Sequence, residues 1–363
     1  MEPIPATPSL AALLKERIRH DGSIDFADYM AAALYEPGLG YYARGTRQVG
    51  RGGDFFTSVS VGPLFGQLLA RRFIRHWRGS GRPARWRVIE CGAHDGTLAA
   101  DILTAMQELE PGAFTALEYA IPEPLEVLRA AQRETLGKFS RCVRHITHAG
   151  ELAADPLPGI AFGNEVLDAL PCHLVERGDG KWLELRVTLD NADRLVFKPG
   201  EVRHERLRMA LEPLGDDFAE GYRTEIRTCY RDFLEPLACA LSSGLMIWVD
   251  YGFQREDYYH PGRAEGTLRT FSRHRSGDDP LADPGEADIT AHVDFTAVAE
   301  AAQSLGWRQT LLRDQGRWLT EIGRDWLLEM EGKPQHTALR QFQTLMHPAH
   351  LGGKFHALEL TRE

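Results

Sequence analysis

The chain has 363 residues, 43% of them hydrophobic, and a formal net charge of −10. That balance suits a soluble globular protein of one large α/β unit or two domains, and it argues against a nonspecific nucleic-acid binder. No apolar run approaches the ~18 residues a membrane helix needs, so no membrane insertion is expected.

In chain order, residues 8–20 and 24–35 read as helices, with Ser9 and Asp25 placed as caps. Prolines at 3, 5 and 8, followed by Lys15, Arg17 and Arg19, do not make a secretory leader. Residues 36–61 are rich in glycine and aromatics without periodicity, the pattern of a long functional loop. A helix over 62–78 follows, then a strand at 86–90. The boundary falls here: residues 1–85 form an N-terminal helical cap and active-site loop, and 86–363 form the core.

Within the core, Val88-Ile89-Glu90-Cys91-Gly92-Ala93-His94-Asp95-Gly96-Thr97-Leu98 reads as strand, tight turn and helix. Gly92 and Gly96 allow close backbone approach, and the helix N-terminus offers free N–H groups. Three glycines at dinucleotide spacing are absent. An acid ahead of G-x-x-x-G instead resembles the first motif of S-adenosylmethionine (SAM) methyltransferases, which implicates Glu90, Gly92, Ala93 and Gly96 in cofactor binding. A second strand, 116–121, leads to Glu123 and a helix opened by Pro124. Glu123 is placed either to accept both ribose hydroxyls or to sit as a surface acid at a helix start. Strands near 142–146 and 159–163, alternating with helices, imply a parallel sheet.

From 172 the pattern changes to short antiparallel strands (173–176, 182–188, 194–197) with turns at Gly178-Asp179-Gly180 and Asp190-Asn191. Insertions are expected near 172–225 and 251–293. Between them lie a helix at 224–241 and a buried strand at 245–250. A helix at 294–305, a strand at 307–313, helices within 316–345 and a strand at 354–361 complete the chain.

Further segments carry a broad resemblance. They are Asp28-Tyr29-Met30 with Leu34-Tyr35-Glu36-Pro37-Gly38-Leu39-Gly40-Tyr41-Tyr42, then Gly53-Asp54-Phe55-Phe56-Thr57-Ser58, then Pro63-Leu64-Phe65-Gly66. Asn164-Glu165-Val166-Leu167-Asp168-Ala169-Leu170-Pro171, Asp250-Tyr251-Gly252, Gly266-Thr267-Leu268-Arg269 and Asp288-Ile289-Thr290-Ala291-His292-Val293-Asp294-Phe295 follow in order. Over residues 22–360 the chain resembles the MidA family of SAM-dependent methyltransferases, whose mitochondrial member is a complex I assembly factor that methylates an arginine. The resemblance implies a doubly wound, seven-stranded Rossmann-like core, SAM as cofactor and a protein arginine as substrate. A small-molecule methyltransferase and a non-catalytic assembly factor are the alternative readings, and a homodimer is allowed for. Three positions depart from the family pattern. His94 stands at the middle glycine of G-x-G-x-G, no glutamate follows Thr57-Ser58, and Pro122 precedes the ribose acid.

A guanidinium nucleophile needs carboxylates to orient it. Asn164, Glu165 and Asp168 follow the fourth strand, where ligands of open α/β sheets bind. A helical turn would put Glu165 and Asp168 on one face, and the same residues could simply cap a short helix. Asp250 could bind substrate or fix a loop, and Tyr251 could meet the substrate or pack in the core. His292 could accept a proton or cap a helix with Asp294. Asp54, Thr57 and Ser58 could reach the methionine end of SAM or serve turn chemistry.

The cysteines at 91, 142, 172, 229 and 239 have neither C-x-x-C nor zinc spacing. Reduced thiols, a cytoplasmic setting and no metal are expected, with Cys91 a packed residue. His145-x-x-His148 and His347-x-x-His350 have no partners nearby in sequence to complete a ligand set.

Overall fold

The computed structural model describes residues 9–44, 57–215, 217–272, 275–277, 279–332 and 334–363. It divides into two compact units, each discontinuous in sequence. One comprises Gln48–Asp168, Tyr230–Gln254 and Val293–Glu363; the other comprises Met1–Arg47, Ala169–Cys229 and Arg255–His292.

The first unit is built on a sheet whose main strands are β1 (Trp86–Cys91), β2 (Leu117–Pro122), β3 (Val143–Ile146), β4 (Leu157–Asn164), β5 (Leu241–Phe253), β6 (Arg308–Asp314) and β7 (Phe355–Arg362). Their order is β6-β7-β5-β4-β1-β2-β3, and the two-residue strand Val293–Asp294 also pairs with β5. The strands from β3 to β5 are parallel, while β7 runs antiparallel between β5 and β6. This is the parallel sheet expected from the alternating pattern and the doubly wound α/β core that the resemblance implies.

Side-chain alternation shows why helices cover both faces. Leu245, Ile247 and Val249 of β5 join the main core with Ile160 and Phe162 of β4. Phe162 meets Phe73 of the helix Leu64–Gly79 with ring centroids 5.1 Å apart. Trp248 points the other way and packs on Phe233 of the helix Tyr230–Ala240, at 5.4 Å. The buried charge in β1, Arg87, is paired with Glu118 at 2.7 Å and donates to the carbonyls of Asp155 and Ala240 at 3.0 and 2.9 Å, while its Nη2 has no hydrogen-bond partner among the described residues.

Register aligns the carboxyl ends of the parallel strands. Cys91 pairs with Gly163, Ile89 with Ala120, and Asn164 with Val249. Glu90 to Gly96, Glu123, Asn164 to Asp168, and Asp250 therefore lie along one edge of one sheet.

In the second unit, Leu10–Asp21 forms a helix capped by Ser9. The helix Phe26–Tyr35 begins after Asp25, but the Asp25 carboxylate makes no cap bond, pairing with Arg186 and His204 instead. Strands His173–Gly178, Lys181–Leu189, Leu195–Glu201 and Arg223–Ile226 form a four-stranded antiparallel sheet. Asp179 and Gly180 both have positive φ (55° and 70°), the signature of a tight hairpin turn. The helix expected from 224 begins only at Tyr230. Arg223–Ile226 is instead a strand paired with His173–Glu176, and its buried Glu225 accepts from the Thr267 and Leu268 amides at 2.8 and 2.9 Å. The excursion at 252–292 contains short strands, Arg269–Ser272, Arg275–Gly277 and Asp288–Thr290, in a sheet of their own.

Candidate cofactor and active site

The turn after β1 is left-handed at three residues: Gly92 (φ 68°), His94 (φ 47°) and Gly96 (φ 86°). A Cβ on Gly92 would lie 2.5 Å from Val166 Cγ2, so only glycine fits there. Gly96 opens the helix Thr97–Leu109, and a Cβ on it would press on Leu136 at 3.2 Å. Asp95 accepts the Thr97 amide at 3.0 Å. Burial raises its pKa, but bonds from His94 and Thr97 prevail and hold it down at about 2. Ala93 is buried beneath the turn.

Glu90 is buried and accepts the Tyr119 hydroxyl at 2.6 Å. Burial pushes its pKa up to about 8, with Tyr119 opposing and Asp95 adding. Burial and the neighbouring Glu90 push the Cys91 thiol up to about 12, so Cys91 is packed and unreactive.

Glu123 is buried at the end of β2 and accepts the Leu125 amide at 2.9 Å. Its own amide donates to Ile146 at 2.9 Å, so the β2–β3 pairing continues past Pro122 and the acid stays at the sheet edge. Burial raises its pKa; the Leu125 amide, Arg129, Gln132 and His94 pull it back in part. A turn with no room for a Cβ and a buried acid on the adjacent strand fit the close approach of a nucleoside and the hydroxyls of its ribose.

Asn164 ends β4, and Glu165 to Asp168 follow it. The helical turn expected through Glu165 and Asp168 does not form; the segment is a bend and turn. The reason is Asp250, whose Oδ2 accepts the amides of Val166 (3.1 Å), Leu167 (2.9 Å) and Asp168 (3.3 Å). Its Oδ1 accepts the Tyr251 amide at 2.9 Å. Asp250 thus shapes the loop. Its burial, with Asp168 and Glu165 near, raises its pKa well above the carboxylate range against the pull of these amides. Glu165 is left-handed (φ 53°), a strained conformation for this residue type, and accepts the Asn164 amide nitrogen at 3.0 Å. Asn164 Oδ1 is buried without a hydrogen-bond partner among the described residues. Tyr251 donates its hydroxyl to Asp168.

Thr57 and Ser58 belong to the same unit. Ser58 is fully buried and donates to Gln315 Oε1 at 3.1 Å, while Thr57 pairs with Ser60 at 3.2 Å. Both hydroxyls therefore have partners within the protein. Asp54 lies outside the described residues. His292 belongs to the other unit, where its amide donates to Thr267 Oγ1 at 3.0 Å. Burial, then Arg263, Arg227 and Arg269, lower its pKa to about 4, so it is neutral at pH 7. Asp294, not His292, caps the helix Phe295–Gln303, accepting the Thr296 and Ala297 amides at 3.0 and 3.1 Å.

Sequence reasoning passed over two clusters. Gln132, buried on the helix Glu126–Thr135, donates to the His94 carbonyl at 2.9 Å. Asp25, His173 and Glu184 bring potential metal-ligand atoms within 4.8 Å of one another, but Arg186 pairs with Asp25 and lies 3.7 Å from Glu184, supplying the positive charge.

A family model described as an S-adenosyl-L-methionine-dependent methyltransferase matches residues 68–311. The chain belongs to the MidA family of SAM-dependent methyltransferases. Protein arginine methyltransferase NDUFAF7 of Rattus norvegicus is 29% identical over 98% of this chain and 84% of its own length. The Homo sapiens protein of that name is 28% identical with the same coverage. A Burkholderia thailandensis protein solved bound to S-adenosyl-homocysteine superposes with a TM-score of 0.85 at 38% identity, covering 97% of this chain and 92% of that one.

SAM is the cofactor of this MidA-family methyltransferase. His94 keeps the left-handed backbone that a glycine would adopt freely, at a cost of about 1–2 kcal/mol. Neither this substitution nor Pro122 displaces the cofactor turn or Glu123 from the sheet edge.

Proposed function

We propose that this methyltransferase acts on a protein side chain, an arginine guanidinium, and that Glu165 and Asp168 hold that cation beside the cofactor. The observation that carries the reading is the contact of the acidic turn with the cofactor turn: Val166, between the two acids, lies directly against Gly92. The arginine methyltransferase names of the relatives support the same substrate class.

SAM, when bound, supplies an electrophilic methyl group on a sulfonium. The residues of this chain do the remaining work of binding and alignment. Glu123 and the 92–96 turn hold the nucleoside. Asp250 fixes the 166–168 backbone, Tyr251 orients the Asp168 carboxylate, and Glu165 and Asp168 pair with the guanidinium, keeping electron density on the attacking nitrogen. The remaining carboxylate capacity accepts the proton released on transfer.

The test is incubation with methyl-labelled SAM and separated protein and metabolite fractions of a cell extract. Label in a protein arginine supports the reading. Label confined to the metabolite fraction favours a small-molecule enzyme, and no label despite cofactor binding favours a non-catalytic assembly factor.

A further inference from the structure

Gln132 is the only buried residue of the helix Glu126–Thr135, although the helix also carries Val127, Leu128, Ala130 and Ala131. It is fully buried, yet it is a primary amide, a group that is costly to bury without a purpose. Its Nε2 donates to the His94 carbonyl at 2.9 Å. Its amide also counts among the groups that favour the charged form of Glu123. The His94 carbonyl can only accept, which fixes the NH2 end toward the turn. The other end, Oε1, is buried and has no partner among the described residues. The hydrogen bond on the NH2 side must offset that orphan acceptor.

The surroundings brace this arrangement. The same helix approaches the turn so closely that a Cβ on Gly96 would stand 3.5 Å from Gln132 Cα. One turn earlier, Arg129 donates to the Glu123 carbonyl at 2.8 Å and to Thr147 Oγ1 at 3.0 Å. Arg129 and Gln132 are three apart, so one helix face reaches Glu123 with the first and His94 with the second. His94 is the residue whose left-handed φ a side chain opposes, and its peptide needs an external partner to hold it.

We propose that Gln132 is a positioning residue of the cofactor site. It ties the left-handed His94 peptide to the helix whose Arg129 holds the Glu123 carbonyl, so that turn and ribose acid keep the spacing a nucleoside requires. This rests on the reading that the 92–96 turn and Glu123 bind the nucleoside of SAM. Gln132 touches neither the methyl group nor the acceptor, so its effect falls on cofactor affinity and not on the acceptor KM.

The test is calorimetric titration of the 363-residue protein with S-adenosyl-homocysteine, comparing Gln132→Leu, Glu123→Gln, their double variant and Gly92→Val, with thermal melting as a control. Gln132→Met, which keeps an unbranched chain of similar length, takes the place of Gln132→Leu if the latter does not fold. Gln132→Leu should weaken binding about 10-fold or more in the wild-type background, but under about 3-fold once Glu123 is already Gln, because the two act as one unit. The acceptor KM at saturating SAM should stay within about 2-fold. Equal losses in both backgrounds would overturn the proposal, as would wild-type affinity in a folded Gln132 variant while Glu123→Gln binds weakly. If Glu123→Gln and Gly92→Val both bind as tightly as wild type, the reading of the cofactor site itself fails.

Discussion

The Asp250 carboxylate accepts the backbone amide of Leu167 at 2.9 Å, across 83 residues of sequence, and the same oxygen takes the amides on either side. One buried acid on β5 therefore sets the conformation of the acidic turn that follows β4. This separates acids that shape the site from acids able to meet the substrate.

Asp250→Asn places an NH2 group where either the three amides of 166–168 or the Tyr251 amide require an acceptor. Leaving a buried donor without its acceptor costs about 1–3 kcal/mol, so stability should fall by about that much together with loss of turnover. Denaturant unfolding measures the first and methyl transfer the second. A variant as stable as wild type would show that Asp250 does not hold the turn.

Glu165→Gln and Asp168→Asn retain shape and most hydrogen bonding but lose charge. If these acids pair with a desolvated guanidinium, each change should cost about 2–5 kcal/mol in kcat/KM, with SAM affinity much less affected. Tyr251→Phe, which removes the hydroxyl bonded to Asp168, should lower kcat/KM by a smaller factor. Full activity in both carboxylate variants would remove the pair from the mechanism.

Gly92→Ala adds a methyl group 2.5 Å from Val166 Cγ2 at a left-handed backbone. The conformational part alone costs about 1–2 kcal/mol. SAM affinity should drop, and Val166→Ala in the same chain should restore part of it by removing the clash. No recovery in the double variant would mean that Val166 is not what limits the space at the turn.

Glu90 yields a pH prediction. Its ordinary pKa of 4.5 is raised to about 8 in the folded protein, chiefly by burial. The folded state therefore binds the proton more tightly than the unfolded chain. This contribution to stability is complete below about pH 4.5 and disappears as pH rises through about 8. Glu90→Gln stays neutral and lacks the dependence. Between pH 5 and 8, wild-type stability should decline relative to Glu90→Gln; parallel curves over that window would exclude a raised pKa.

The sheet was legible because a central strand carries an apolar run, Leu245 to Val249, because strand and helix patterns alternate, and because its turns carry glycines. Gly92 and Gly96 have the left-handed backbone their positions suggested, and Asp179-Gly180 makes its expected hairpin. His94 shows the opposite case, a glycine conformation that its side chain conceals. What stayed hidden depends on partners remote in sequence. Glu165 and Asp168 read as helical until Asp250 captures the intervening amides. Arg223–Ile226 reads as the start of a helix until His173–Glu176 recruits it as a strand. Asp25 has the identity and position of a cap, but Arg186 and His204 claim its carboxylate. Gln132 is polar and shares its helix with Val127 and Leu128, so nothing in the sequence marks it as the one buried side chain of that helix.

The central claim, methylation of a protein arginine through the acidic turn, is tested most directly by mass spectrometry of a protein acceptor after incubation with methyl-labelled SAM. Wild-type protein and folded Asp168→Asn, both loaded with cofactor, should be compared. The account predicts labelled methylarginine with the wild type and a loss of at least about 30-fold with the variant, the lower end of its 2–5 kcal/mol. Label on another residue type, or equal labelling by both proteins, would contradict it.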